Sequence, residues 1–267
     1  MIIDTHVHIY PDSIAEKAAG SIGQFYEMPM GYDGSTGTLL RICARAGVDK
    51  CVLCSVATSP AQARPINAFL AKEKDRLGFA ALCALHPQMT REALAAELDF
   101  ARAQGFAGAK LHPDFQRFHA DDPGVFFLYE ALAQARFPLL LHAGDKRHGF
   151  SSPQKVAGAA KAFPGLTIVA AHLGGWSQWE DGARLLPGCG NVFVDTSSSL
   201  YSLAPGQALE IIRAFGAERV LFGTDYPMWD AQDELRMLRG LGLTAQELDL
   251  ILHKNAEKLF FGRGTAC

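Results

Sequence analysis

The strongest constraint on this fold is a rhythm. Short apolar runs alternate with helix-patterned segments along the chain. The runs are Met1–Tyr10, Asp49–Val56, Leu77–Leu85, Phe106–Leu111, Pro138–His142, Leu166–His172, Asn191–Thr196 and Arg219–Asp225. They lack the polar alternation of a half-exposed sheet, so each strand is expected to be buried on both faces. Helices are expected between them at Thr38–Gly47, Ala61–Lys74, Thr90–Gly105, Asp122–Arg136, after Ser152-Pro153, at Gln178–Leu186 and at Gly206–Phe215. Three more follow the last strand, at Asp230–Arg239, Ala245–His253 and Asn255–Phe260. Local signals support these bounds. Asp122-Pro123 and Ser152-Pro153 put a cap before a proline, Thr244 and Glu247 form a capping box, and Gly47 and Gly105 close helices.

Strand alternating with helix calls for a parallel sheet, and eight repeats call for a closed α/β barrel, the (β/α)8 architecture. An open doubly wound sheet is the rival. No Gly-X-Gly-X-X-Gly follows the first strand, and polar residues end many strands instead of one switch point. The 267 residues, 49% of them hydrophobic, suffice for a single barrel domain spanning 1–267, and no linker marks a second. One segment breaks the rhythm. Pro11–Gly37 is rich in Gly, Pro, Ser and Met, with little periodicity beyond a short helix at Ser13–Ala19. It is expected to be a long loop that covers the mouth and contacts substrate.

The net charge is −3 and no basic block is present, so a nucleic-acid partner is not expected. No apolar stretch approaches the ~18 residues of a membrane span, and no basic leader precedes an apolar run. A cytoplasmic protein is expected. The cysteines Cys43, Cys51, Cys54, Cys83, Cys189 and Cys267 are scattered and read as buried core thiols. Cys51 and Cys54 have metal-pair spacing, but residues three apart on a strand point to opposite faces.

A barrel collects its reactive groups at the C-terminal ends of its strands. On the first strand, Asp4, His6 and His8 are expected on one face, with Ile3, Thr5, Val7 and Ile9 on the other. Later strand ends offer His86, Lys110 with His112, His142, His172 and Asp225. One such histidine is ordinarily a satisfied core residue. Several converging on one mouth need a common partner, because buried polar groups must be satisfied. Imidazole nitrogens with a carboxylate suit a divalent metal, zinc first, with manganese or another transition metal next. His6, His8, His142 and Asp225 would supply the ligands. Asp225 could also act as base, and His172 could polarise substrate or donate a proton.

These motifs resemble a known family. Asp4-Thr-His-Val-His8, His142, His172 in Ala171-His-Leu-Gly-Gly175, and Gly223-Thr-Asp-Tyr-Pro227 are similar to the amidohydrolase superfamily, nearest its amidohydrolase-2 branch. The resemblance runs from Met1 to about Phe261 and includes Asn255–Phe260 as a closing helix. It implies that the two strand-1 histidines, His142 and Asp225 hold the metal. His172 is then a catalytic group in one-metal members or a ligand in two-metal members. Lys110 is either carboxylated and bridging, or a free cation facing a substrate carboxylate. The Lys110-Leu-His-Pro113 context resembles the one-metal branch, so one metal, a free Lys110 and a pocket-lining His112 are expected.

The resemblance implies first a hydrolase of a small amide, ester or lactone that uses metal-activated water. The alternative on the same ligands is a non-oxidative decarboxylase of a small carboxylic acid. An inactive small-molecule-binding barrel is the third reading, and the complete ligand set argues against it. The substrate is expected to carry a carboxylate, and oligomeric state is left open. Among lesser candidates, Asp4 reads as a hydrogen-bond partner. Lys146, Arg147 and His148 could meet an anionic substrate, and Trp176 and Trp179 could wall the pocket. His86 is equally suited to a structural role, and His119 and His253 read as plain surface or helix residues.

Overall fold

The computed structural model describes residues 1–262; Cys267 lies outside the described residues. Eight parallel strands pair in chain order. They are β1 (Ile3–His8), β2 (Lys50–Cys54), β3 (Ala80–Ala84), β4 (Gly108–Leu111), β5 (Leu139–Leu141), β6 (Ile168–Ala170), β7 (Val192–Asp195) and β8 (Val220–Leu221). The first and last strands close the ring. Thr5 N donates to Phe222 O at 2.9 Å, Asp225 N to His6 O at 2.9 Å, and His8 N to Tyr226 O at 2.8 Å. The chain is a (β/α)8 barrel.

The helices are α1 (Ala15–Tyr26), α2 (Thr36–Ala46), α3 (Ala63–Leu77), α4 (Arg91–Ala103), α5 (Pro113–Gln116) and α6 (Phe126–Ala135). They continue as α7 (Pro153–Ala162), α8 (Trp179–Leu185), α9 (Pro205–Phe215), α10 (Ala231–Arg239) and α11 (Ala245–Asp249). Ile3, Val52, Leu82, Leu140, Val169 and Leu221 fill the inside of the barrel, and Phe260 packs with them. Val7, Leu53, Leu111 and Leu141 point outward into a second core under the helices, with Leu39, Leu70, Leu98 and Ile212.

Three expectations change. First, β1 does not alternate regularly. Asp4 pairs with Cys51 but Val7 with Leu53, so three steps on β1 match two on β2. This bulge flips the faces. Ile3 lies inside the barrel and Val7 and Ile9 outside, so Asp4 does not share a face with His6. Second, the Pro11–Gly37 segment is mainly helix. α1 buries Ala15, Ala19 and Gly23, a four-residue spacing carried by small side chains that hydrophobicity patterns register weakly. A Cβ on Gly23 would stand 2.7 Å from Met28 O, so only glycine allows the chain to turn back there. Third, the end of the chain is not two α-helices. After α11, π-turns run at Leu250–Lys254 and Glu257–Phe261. No described helix is long and apolar enough to cross a membrane.

Candidate active site

The inner face of β1 carries His6 and His8 past the bulge to the mouth. Their Nε2 atoms are 3.2 Å apart, and each is 3.5 Å from Asp225 Oδ1. Two donors that share one ion at about 2.1 Å stand roughly 3–3.5 Å from each other. The triangle therefore has metal-site dimensions.

Neighbours fix which atoms face it. Asp195, at the end of β7, accepts a hydrogen bond from His6 Nδ1 at 3.0 Å. The His6 proton is thereby held on Nδ1, and Nε2 keeps its lone pair for the triangle. Asp195 in turn accepts from His172 N at 3.0 Å, Ser197 N at 3.1 Å and the Ser197 hydroxyl. Ser198 Oγ donates to Asp225 Oδ2 at 2.7 Å, which leaves Oδ1 to face the histidines. Burial alone would raise the Asp225 carboxyl, but His6 and His8 outweigh it and hold it well below the usual range. Burial, reinforced by Lys110, pushes His6 down to about 4. His8 goes the other way: against burial, Cys54 and the bond to Asp225 raise it to about 9, so it must give up a proton when it binds a metal. The donor set fits a divalent ion.

His142 and His172 form a second pair. His142 Nε2 lies 2.8 Å from Gly144 O, and His172 Nδ1 lies 3.1 Å from Ser197 O. Carbonyls only accept, so both of these nitrogens carry the proton. His142 Nδ1 and His172 Nε2, 3.0 Å apart, are left with facing lone pairs. Such a pair needs a proton or a cation between its members. Of the four residues expected to share one ion, His6, His8 and Asp225 meet directly. His142 makes its contacts with His172, Gly144 and His112, and its Nε2 lies 3.6 Å from Asp114 Oδ2.

Lys110, on the inner face of β4, is 1% exposed, and its Nζ sits 3.0 Å from His6 Nε2. It has no ion-pair partner among the described residues, and burial lowers its proton affinity. His112 caps α5 through Nδ1, which accepts from Phe115 N at 3.3 Å. Its Nε2 therefore donates to Tyr26 Oη at 2.9 Å. Two of the key residues stand in left-handed backbone, His172 at φ 61° and Asp225 at φ 60°. That region is uncommon for residues other than glycine, and such strain persists only where the surroundings hold it.

The lesser candidates resolve cleanly. The Asp4 carboxylate accepts from His6 N at 3.2 Å and from Thr224 N and Oγ1 at 3.0 and 2.6 Å, tying β1 to the segment after β8. His86 Nδ1 accepts from Gln88 N at 3.2 Å and is structural. Arg147 pairs with Asp145 at 2.8 Å and donates to Phe25 O at 3.0 Å, so it anchors α1 and is not free for a substrate. Lys146 is exposed and His148 packs on Phe25. Trp179 Nε1 donates to His172 O at 3.1 Å, and Trp176 Nε1 to Tyr201 Oη at 3.1 Å. His119 lies against Phe150 on the surface, and His253 pairs with Glu257.

Sequence reasoning missed Asp195, Asp114 and Tyr26. The signal for Asp195 was present, since it ends β7 as Asp225 follows β8. Asp114 follows the Lys110–Pro113 motif; its Oδ2 accepts from Ser151, and its Oδ1 has no hydrogen-bond partner among the described residues. The site opens into a cavity of about 790 Å³. His6, His8, Lys110, His112, Asp114, His142, His172 and Asp225 line its floor, and α1 roofs it.

A mouth of buried histidines and carboxylates at metal-site spacing on a (β/α)8 barrel is the layout of a metal-dependent enzyme. The sequence profile of the Amidohydrolase family, in its second subgroup, matches residues 3–262. The chain belongs to that family, whose members are metal-dependent enzymes. A comparison with curated proteins gives no match. Among solved structures, the chain is similar to an uncharacterised TIM-barrel protein from Bordetella bronchiseptica, at 21% identity, 97% coverage of both chains and a TM-score of 0.81. It is similar to 5-carboxyvanillate decarboxylase from Novosphingobium aromaticivorans, complexed with manganese and 4-hydroxy-3-methoxy-5-nitrobenzoic acid, at 19% identity, covering 98% of this chain and 96% of that one, with a TM-score of 0.76. A candidate 2-pyrone-4,6-dicarboxylic acid hydrolase from Pseudomonas putida matches at 19% identity, 99% and 98% coverage and a TM-score of 0.69.

Proposed function

We propose that the protein is a metal-dependent, non-oxidative decarboxylase of a small aromatic acid. The observation that carries this reading is Lys110, a buried cation with no carboxylate partner among the described residues, beside the His6–His8–Asp225 triangle in a largely apolar cavity. An ammonium in such surroundings attracts a carboxylate strongly. Apolar walls favour an aromatic ring beside that carboxylate. The likeness to 5-carboxyvanillate and 2,6-dihydroxybenzoate decarboxylases supports the same choice over the hydrolase suggested first by the sequence.

His6, His8 and Asp225 would hold one divalent metal, with His142 Nδ1 as the further ligand. The ion, manganese as in the decarboxylase complex or zinc, would supply Lewis-acid polarisation of the substrate's oxygen atoms. Lys110 orients the carboxylate. The bond between the ring carbon and the carboxyl carbon breaks and carbon dioxide leaves. The electron pair left on the ring carbon takes a proton that comes from solvent: His172 Nε2, which holds a lone pair at rest, would first take it up and then deliver it, while Nδ1–H stays bonded to Ser197 O. Asp195 keeps His6 in the ligating tautomer.

The test is incubation of the metal-loaded protein with 5-carboxyvanillate, 2,6-dihydroxybenzoate and 2-pyrone-4,6-dicarboxylate, followed by mass spectrometry. Loss of carbon dioxide from either benzoate supports the reading. Gain of one water by the pyrone alone would overturn it in favour of hydrolysis.

A further inference from the structure

The cavity is larger than a benzoate needs, and its excess has a direction. Ile14, just before α1, and Ala18, Ile22 and Phe25 on it line one wall, and Ile66 and Phe69 line the cavity from α3. Residues three and four apart share a helix face, so each set is one stripe. From Ile14 to Phe25 the stripe runs about 16 Å at 1.5 Å per residue. Its inner end is the catalytic floor, because Tyr26, next to Phe25, bonds His112. Its outer end is Ile14, which is 49% exposed. Lys17 and Ser21 edge the α1 wall, and no carboxylate stands along the stripe. The acids lining the cavity, Asp114 and Asp225, both belong to the floor. Apolar side chains left half-open in a row, continuous with a polar site, mark a place where an apolar group is to be covered.

We propose that this channel is a subsite for an extended apolar substituent. The substrates are then aromatic acids whose ring bears an alkyl or aryl chain, with the carboxylate at Lys110 and the chain between α1 and α3. This rests on the decarboxylase reading of the floor. It is specific to the channel, because a bare dihydroxybenzoate would leave Ile14, Ile22 and Ile66 untouched.

The experiment uses 2-hydroxybenzoates bearing hydrogen, propyl, hexyl or phenyl at each open ring position, with the manganese-loaded protein. Turnover gives kcat/KM, and calorimetry gives Kd for the corresponding nitro analogues, in which nitro replaces carboxylate. Each buried methylene should raise kcat/KM and lower Kd about three- to fourfold at the favoured position. Ala18→Trp fills the channel and should bring the hexyl-to-hydrogen ratio down toward one. If that variant fails to fold by circular dichroism, Ile66→Ser serves, with a ratio reduced severalfold. Turnover with no dependence on chain length overturns the subsite and leaves the decarboxylase standing. Absence of turnover overturns the decarboxylase, and the Kd series then decides the subsite: chain-length dependence abolished by Ala18→Trp supports it, and a flat series ends it.

Discussion

The two arcs of the barrel mouth differ in kind. From β5 through β8 to β1 the strand ends carry His142, His172, Asp195, Asp225, His6 and His8, all buried or nearly so. Across β2 and β3 they carry Ala84 and a single further donor, Cys54, whose Sγ lies 3.8 Å from His8 Nδ1, and His86 beyond β3 bonds the backbone and lines no part of the cavity. Lys110 on β4 stands between. Buried polar groups are costly alone and stable in a connected network. Collected on one arc they satisfy one another, and the other arc is left free for the apolar walls of the cavity. On the proposed reading, chemistry and recognition are separated around one ring.

The largest effect is expected at the triangle. Asp225→Asn removes the charged donor that His6 and His8 share, and should lose the metal together with a factor on the order of 10³ or more in kcat/KM. Elemental analysis beside kinetics checks it; full metal content with full activity would dissolve the polar arc as a metal seat. Asp195→Asn should act less strongly, lowering metal affinity about 10–100-fold, because His6 loses the partner that fixes its tautomer. Competition with a chelator measures it. Lys110→Met should raise KM for an aromatic acid about tenfold or more while leaving metal content intact. A variant that lost metal instead would make Lys110 part of the metal seat.

The smallest effect lies behind the polar arc. Glu234 on α10 is fully buried, and neither of its oxygens has a hydrogen-bond partner among the described residues. Burial, with Asp4 and Asp225 nearby, raises its carboxyl well above the ordinary value of 4.5. The folded protein thus keeps this proton at pH values where the unfolded chain has lost it. Its contribution to stability is therefore full in acid and is lost as pH rises from about 4.5 through the raised folded value. Glu234→Gln should remove that loss, gaining about 1–3 kcal/mol at pH 8 relative to pH 5. Denaturant melts at the two pH values would show it, and equal gains at both would exclude the linkage.

Much of this was legible in the chain. Buried strands ending in His142, His172 and Asp225 announced the barrel and the polar arc of its mouth, because burial and a terminal polar group leave a plain pattern. The β1 bulge was not legible, since an extra residue in a ladder depends on how Asp4 meets Cys51 and Thr224 across the sheet. Helix α1 hid behind Ala15, Ala19 and Gly23, whose small side chains give a weak pattern. The partners that set tautomers, the Gly144 and Ser197 carbonyls, belong to the backbone and leave no trace in residue type.

The central claim is one divalent ion between His6, His8 and Asp225. Its most direct test is a crystal structure of the manganese-soaked protein with anomalous data. A single peak is expected about 2.0–2.2 Å from His6 Nε2, His8 Nε2 and Asp225 Oδ1. A peak seated instead among His112, Asp114 and His142, which also come within metal-binding distance of one another, would contradict it.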